Sequence, residues 1–175
     1  MIIAEQKYKE NIIEYIIYIR QIQDIIRLAN CDIEEINKLI IDQYKTSEKI
    51  KIKIRDWYLD LINLIKTEKI DKQGDFGFIK NIIDELEELN QKLLNQENSY
   101  KHQELYRWAK PNIEEFKKLS NNANEGDVKT CIDALHSLLL LRIKNQTISS
   151  ETMQAMQTFS NLMANLAFEY KKFKS

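Results

Sequence analysis

Glycine and proline are nearly missing from this chain. Gly74, Gly77, Gly126 and Pro111 are all it holds of them in 175 residues, where average usage would give roughly a dozen glycines and about nine prolines. These residues build tight turns, bulges and phosphate-cradling loops. Their scarcity excludes a Gly-rich phosphate loop, a Walker sequence and a nucleophile elbow. Cysteine is also scarce. Cys31 and Cys131 lie far apart, outside any CxxC or Cys/His cluster, and read as small buried hydrophobes in a reducing compartment. The two histidines share no ligand spacing with a cysteine, which argues against zinc. Long apolar runs are absent too. Tyr15–Ile19 and Leu138–Leu141 are the longest, far short of a membrane span. Charge arrives by Glu5, so the opening residues do not read as a secretory signal, and a cytoplasmic protein is expected. The net charge of −1 provides no global field to draw in nucleic acid or an acidic membrane.

What the chain has is helical periodicity. Ile12, Tyr15, Ile16, Ile19, Ile22 and Ile26 recur at a spacing of three and four, which predicts a first helix from about Glu5 to Leu28. Ile13 and Ile17 fall on its opposite side, so this helix is apolar on two faces. That pattern belongs to a helix central in a bundle or at an oligomer interface. Asp32, with Glu35 in capping-box position, starts a second helix, and Thr46 caps a third that runs to Glu68. Residues 69–77 form the first break. A fourth helix follows to Asn95, and a fifth carries its apolar phase across Pro111 as a kinked helix. Residues 120–127 form the second break. Asp127 caps a sixth helix, expected to be deeply buried. Ser149 caps a seventh, with Ile148 and Met153 placed as a hydrophobic staple. The expectation is an all-α, irregular up-down bundle of six or seven helices in a single domain.

Three stretches carry a resemblance. They are Ile3-Ala4 with Lys9–Tyr18 and Asp24–Arg27, Arg55–Ile62, and Cys131–Arg142 with the helix start at Ile148–Thr152. Together they resemble a bacterial family defined by a domain of unknown function, of similar length and wholly helical. The resemblance implies a bacterial protein and supplies no activity, cofactor or substrate. The chain departs from the family pattern at Arg20 and His136, where an aromatic residue is usual.

The most site-like feature is the polar side of the first helix. Glu10, Glu14 and Gln21 share one face; Arg20, Asp24 and Arg27 share the next, with Tyr15 and Tyr18 nearby. Covered by other helices, such groups must pair or line a cavity. Glu10, Glu14, Tyr18, Asp24 and Arg27 are therefore the candidate ligand-binding residues. The competing reading is a solvated face with helical-spacing ion pairs. Asp133 and His136 lie one turn apart, but a second carboxylate–histidine pair is missing, so a di-metal bundle is not expected. Lys45, Lys49, Lys51, Lys53 and Arg55 scatter around their helix, which argues against nucleic-acid binding. The Met153, Met156 and Met163 stripe reads as core filling rather than a peptide groove. No catalytic residue, metal or cofactor is expected. The leading expectation is a non-catalytic bundle acting through protein contacts, with itself above all. The alternative is a ligand-binding or enzymatic bundle with a polar pocket along the first helix.

Overall fold

Asn11 divides the first helical run in two. In the computed structural model, which describes residues 2–121 and 123–174, Asn11 is extended (φ −154°, ψ 108°). Its side-chain oxygen accepts the backbone N–H groups of Ile13 and Glu14. That is the bonding of an N-cap, so α1 (Ile2–Glu10) ends and α2 (Ile12–Leu28) begins there. The single helix expected from Glu5 to Leu28 is thus corrected to two. Apolar spacing continues across the junction and hides the break.

The remaining elements are α3 (Ile33–Ile36), α4 (Glu48–Glu68), α5 (Gly77–Asn95), α6 (Tyr100–Leu119), α7 (Asp127–Ile143) and α8 (Ser150–Lys174). The fold is all-α: eight helices, against the six or seven expected, and no strand among the described residues. Asp32 caps α3 through the N–H of Glu34, while Glu35 pairs with Lys38 instead of closing a capping box. After one turn α3 widens into a π-helical segment, Asn37–Ile41. Ser47, not Thr46, holds the N-cap position of α4. Pro111 stands inside a continuous α6. Ser149 Oγ accepts the N–H of Thr152, as its place in the sequence predicts.

The core is aliphatic and runs through α2 and α8. Ile16, Ile19 and Ile26 of α2 meet Phe159, Leu162, Met163 and Leu166 of α8 in one buried cluster, joined by Ile79 and Leu86 of α5, Ile113 of α6 and Ile132 of α7. α8 packs on α2, α5, α6 and α7. It runs antiparallel to α6, as the pairings His102–Asn165 and Asn112–Thr158 show. On the second apolar side of the first helical run, Ile13 is buried and Ile17 half-buried. Burial of α7 reaches only to Leu138; Leu141 and Ile143 in its last turn are exposed. Its end therefore departs from the deep burial expected of the whole helix.

Candidate functional site

The polar side of α2 clasps a loop. Arg20 is buried, and its guanidinium forms a fork on Asp75, with Nε at 2.9 Å from Oδ1 and Nη2 at 2.6 Å from Oδ2. Its third donor, Nη1, reaches Asp133 Oδ1 of α7 at 2.7 Å. Burial acts against the charge on Arg20, but the bonds and charges of Asp75 and Asp133 outweigh it and hold the guanidinium above its ordinary value. Asp133 also accepts Lys129 Nζ at 2.7 Å, and Lys129 in turn reaches Glu125. Two turns further along α2, Arg27 donates to the carbonyls of Ile70 and Gly74, and Gln23, between Arg20 and Arg27, donates to Gly74 as well. Gly74 sits at φ +98°, a conformation that favours glycine. The loop between α4 and α5 thus satisfies its carbonyls with side chains from α2.

The five candidate residues do not converge. Asp24 and Arg27 belong to this clasp: Asp24 lies 3.8 Å from Arg27 Nη1 and 3.1 Å from His136 Nε2 of α7. Tyr18 is half-buried near Tyr44 and Tyr58, and burial, then the neighbouring Tyr44, pushes its phenol up to about 12. Glu10 is exposed and lines a cleft with Tyr8, Ala167 and Tyr170. Glu14 is exposed, pairs with Lys7 at 3.0 Å, and lines a separate groove.

That groove, of about 460 Å³, lies between α2, α7 and α8. Ile13, Ile17, Leu135, Leu139, Met153 and Met156 form much of its apolar wall. Met163 contributes as well, so the methionine stripe read as core filling faces both the core and this opening. Met156 and Met163 are buried, while Met153 is half-buried against the core. Glu14 and Arg142 stand at its two ends. Asn11 lines both this groove and the cleft beside Ala167 and Tyr170, which sets the start of α2 at the Ala164 end of the groove. Arg142 Nη2 donates to Met153 Sδ at the other end. The α8 lining from Met153 to Ala164 spans roughly 16 Å at 1.5 Å per residue.

Two further polar clusters escape sequence reading. At the start of α7, Asp127 accepts Tyr106, Lys110 and Lys117. Burial raises its carboxyl, but the bonds from Lys117, Tyr106 and Lys110 prevail and leave it below the ordinary carboxylate value. Beside it, Glu87 of α5 accepts the N–H of Lys129 at a helix start whose N-cap, Gly126, has no side chain. Burial holds the Glu87 carboxyl above its ordinary value, against the backbone N–H groups of Lys129 and Val128. The second cluster is a buried trio, Asn90, His102 and Asn165, joined through both ring nitrogens of His102. Neither had a signal in local spacing, because the partners come from different helices.

No group of three His, Cys, Asp or Glu side chains among the described residues is placed to hold a metal ion. No helix among them is long and apolar enough to cross a membrane. The fold and its charged clasp define an all-helical bundle whose internal polar groups hold helices and loops together. The chain belongs to the family described as a domain of unknown function, DUF4924, whose model matches residues 1–175. No curated protein and no solved structure matches it.

Proposed function

We propose that this bundle works without catalysis, as a self-associating protein whose contact face is the groove between α2, α7 and α8. The observation that supports this reading is the pairing of an apolar floor with opposite charges at its two ends. Two-fold symmetry brings the same patch of both subunits together, so residue i of one copy meets residue j of the other and the reverse. A groove with Glu14 at one end and Arg142 at the other is self-complementary under that operation. Arg142 of each copy faces Glu14 of its partner across the apolar floor. Thioether side chains adapt to an incoming apolar surface, and a net charge of −1 sets up little long-range self-repulsion. We also take the protein as bacterial and cytoplasmic, as the resemblance carried by its opening, central and late stretches implies.

Sedimentation at micromolar concentration tests the reading. The wild type should sediment as a dimer. Glu14→Arg and Arg142→Glu should each weaken the dimer at least about tenfold, the effect of roughly 1.4 kcal/mol. The double exchange should recover most of the loss. A mass of one 20.9 kDa chain throughout that range would overturn it.

A further inference from the structure

His102 is enclosed at the joint of α5, α6 and α8. Its exposure is 2%, that of Asn90 on α5 is 0% and that of Asn165 on α8 is 6%. Asn165 Nδ2 lies 3.1 Å from His102 Nδ1, and Asn90 Oδ1 lies 2.8 Å from His102 Nε2. An amide NH₂ only donates and an amide oxygen only accepts. Asn165 therefore donates to Nδ1, and Nε2–H donates to Asn90. This arrangement is complete for a neutral imidazole with its proton on Nε2. An imidazolium carries two donors and no acceptor, so protonated Nδ1 would face the Asn165 NH₂, donor against donor.

We propose that His102 is a proton-operated lock on the α5–α6–α8 joint, closed while the ring is neutral and released when Nδ1 takes a proton from solvent. Release requires Asn165 to turn its amide, or α8 to move off α6. Either way a buried charge must be accommodated among apolar side chains. Surrounding charge does little to relieve this. α5 meets the ring with the Asn90 amide, whose Nδ2 is itself buried without a partner. On α8, Glu169 favours the charged ring, but burial outweighs it and lowers the proton affinity of His102 below that of a free histidine; Glu169 is also bonded to Lys172. On α6 itself, neighbouring Lys101 and Glu104 are exposed to water. A histidine that binds protons more weakly when folded contributes stability that is fully present above its unfolded value. That stability is lost as pH falls from there through the folded value.

Two measurements test the lock. The first is nitrogen-15 NMR of the wild-type histidines, with the His136 signals assigned through His136→Gln. The Nε2–H tautomer of His102 should persist below about pH 6.5, where a free imidazole is half protonated. Titration at or above that value would overturn the proposal. The second is urea unfolding between pH 7.5 and pH 5 for the wild type, His102→Gln and Asn165→Asp. Acidification should raise the unfolding constant of the wild type relative to His102→Gln, by up to about tenfold per pH unit within the linkage window. Asn165→Asp presents a carboxylate that accepts from Nδ1–H, so its response should reverse and acidification should strengthen it. Equal slopes for the wild type and His102→Gln would overturn the lock, as would an unreversed slope for Asn165→Asp. If His102→Gln does not fold, the NMR titration and the Asn165→Asp slope decide.

Discussion

Gly126 and Glu87 are a fitted pair. A methyl group at position 126 would fall inside the contact radius of Glu87 Oε1, the same oxygen that accepts the Lys129 N–H at the start of α7. The backbone at Gly126 is ordinary, with φ −62°, so the glycine leaves room for the Glu87 cap rather than serving conformation. Gly77 has a related setting: its N–H, at the start of α5, donates to Glu68 of α4 at 2.8 Å. Two helix starts are thus capped by glutamates of other helices, satisfying donors that the helices cannot satisfy themselves.

Gly126→Ala is expected to destabilise the protein by about 0.5–2 kcal/mol, the usual cost of a lost helix cap, because the atoms in the way are the movable end of the Glu87 side chain. Part of that cost is the displacement of Glu87 from its cap. Adding Glu87→Ala should therefore cost less than the sum of the two single changes, since contacting residues are energetically coupled. Urea unfolding of the two single variants and the double variant measures that coupling.

Arg20→Met should be among the most damaging single changes in the chain. It leaves Asp75 with no fork partner in a largely buried position. Breaking a buried ion pair from one side costs about 3–5 kcal/mol, and the low end is expected because Lys129 still pairs with Asp133. Arg20→Lys should recover only part of the loss, because an ammonium cannot form the fork on Asp75 while reaching Asp133. Thermal unfolding followed by circular dichroism would rank the three proteins.

Acid should act on the start of α7 through Asp127. Its carboxyl is held below the ordinary value, so its contribution is present above the unfolded value and is lost as pH falls through the folded one. Asp127→Asn should remove this component and flatten the stability profile below about pH 4, near the unfolded value of an aspartate. At neutral pH it should cost about 1–3 kcal/mol, because the ammonium of buried Lys117 loses its ionic partner. Unfolding measured at several pH values for both proteins checks the slope and the offset.

Pro111→Ala should stabilise the protein. Proline in a helix interior removes one backbone bond and costs about 3 kcal/mol relative to alanine. Pro111 is exposed on a continuous α6. A gain of about 1–3 kcal/mol in urea unfolding is expected, with no change in the state of association.

The helices were legible where the information is local. The three-and-four spacing locates α4, α5, α7 and α8 within a few residues, and Asp32 and Ser149 announce their caps by residue type. Asn11 was missed because the apolar spacing runs through it; what breaks the run is its side-chain oxygen, which accepts the N–H groups of Ile13 and Glu14. The clasp was half legible. Arg20, Asp24 and Arg27 stood out as a charged strip on α2, but their partners could not be read from spacing. Arg20 meets residues 55 and 113 positions away, and Arg27 meets backbone carbonyls, which have no sequence signature. Glu68 and Glu87 were hidden in the same way, as acidic residues on helices other than the ones they cap.

The reach of Arg20 ties α2 to segments made after it. Arg20 emerges from the ribosome before either of its carboxylates, and the second, Asp133, follows it by 113 residues. A nascent chain that has completed α2, α4 and α5 can join Arg20 to Asp75, but it cannot complete the second ion pair or cover the core face that α8 closes. Its aliphatic surface therefore stays open until α8 has emerged. Closure of the core thus waits on α8, and a chain that lacks α7 and α8 leaves the faces they cover open to water.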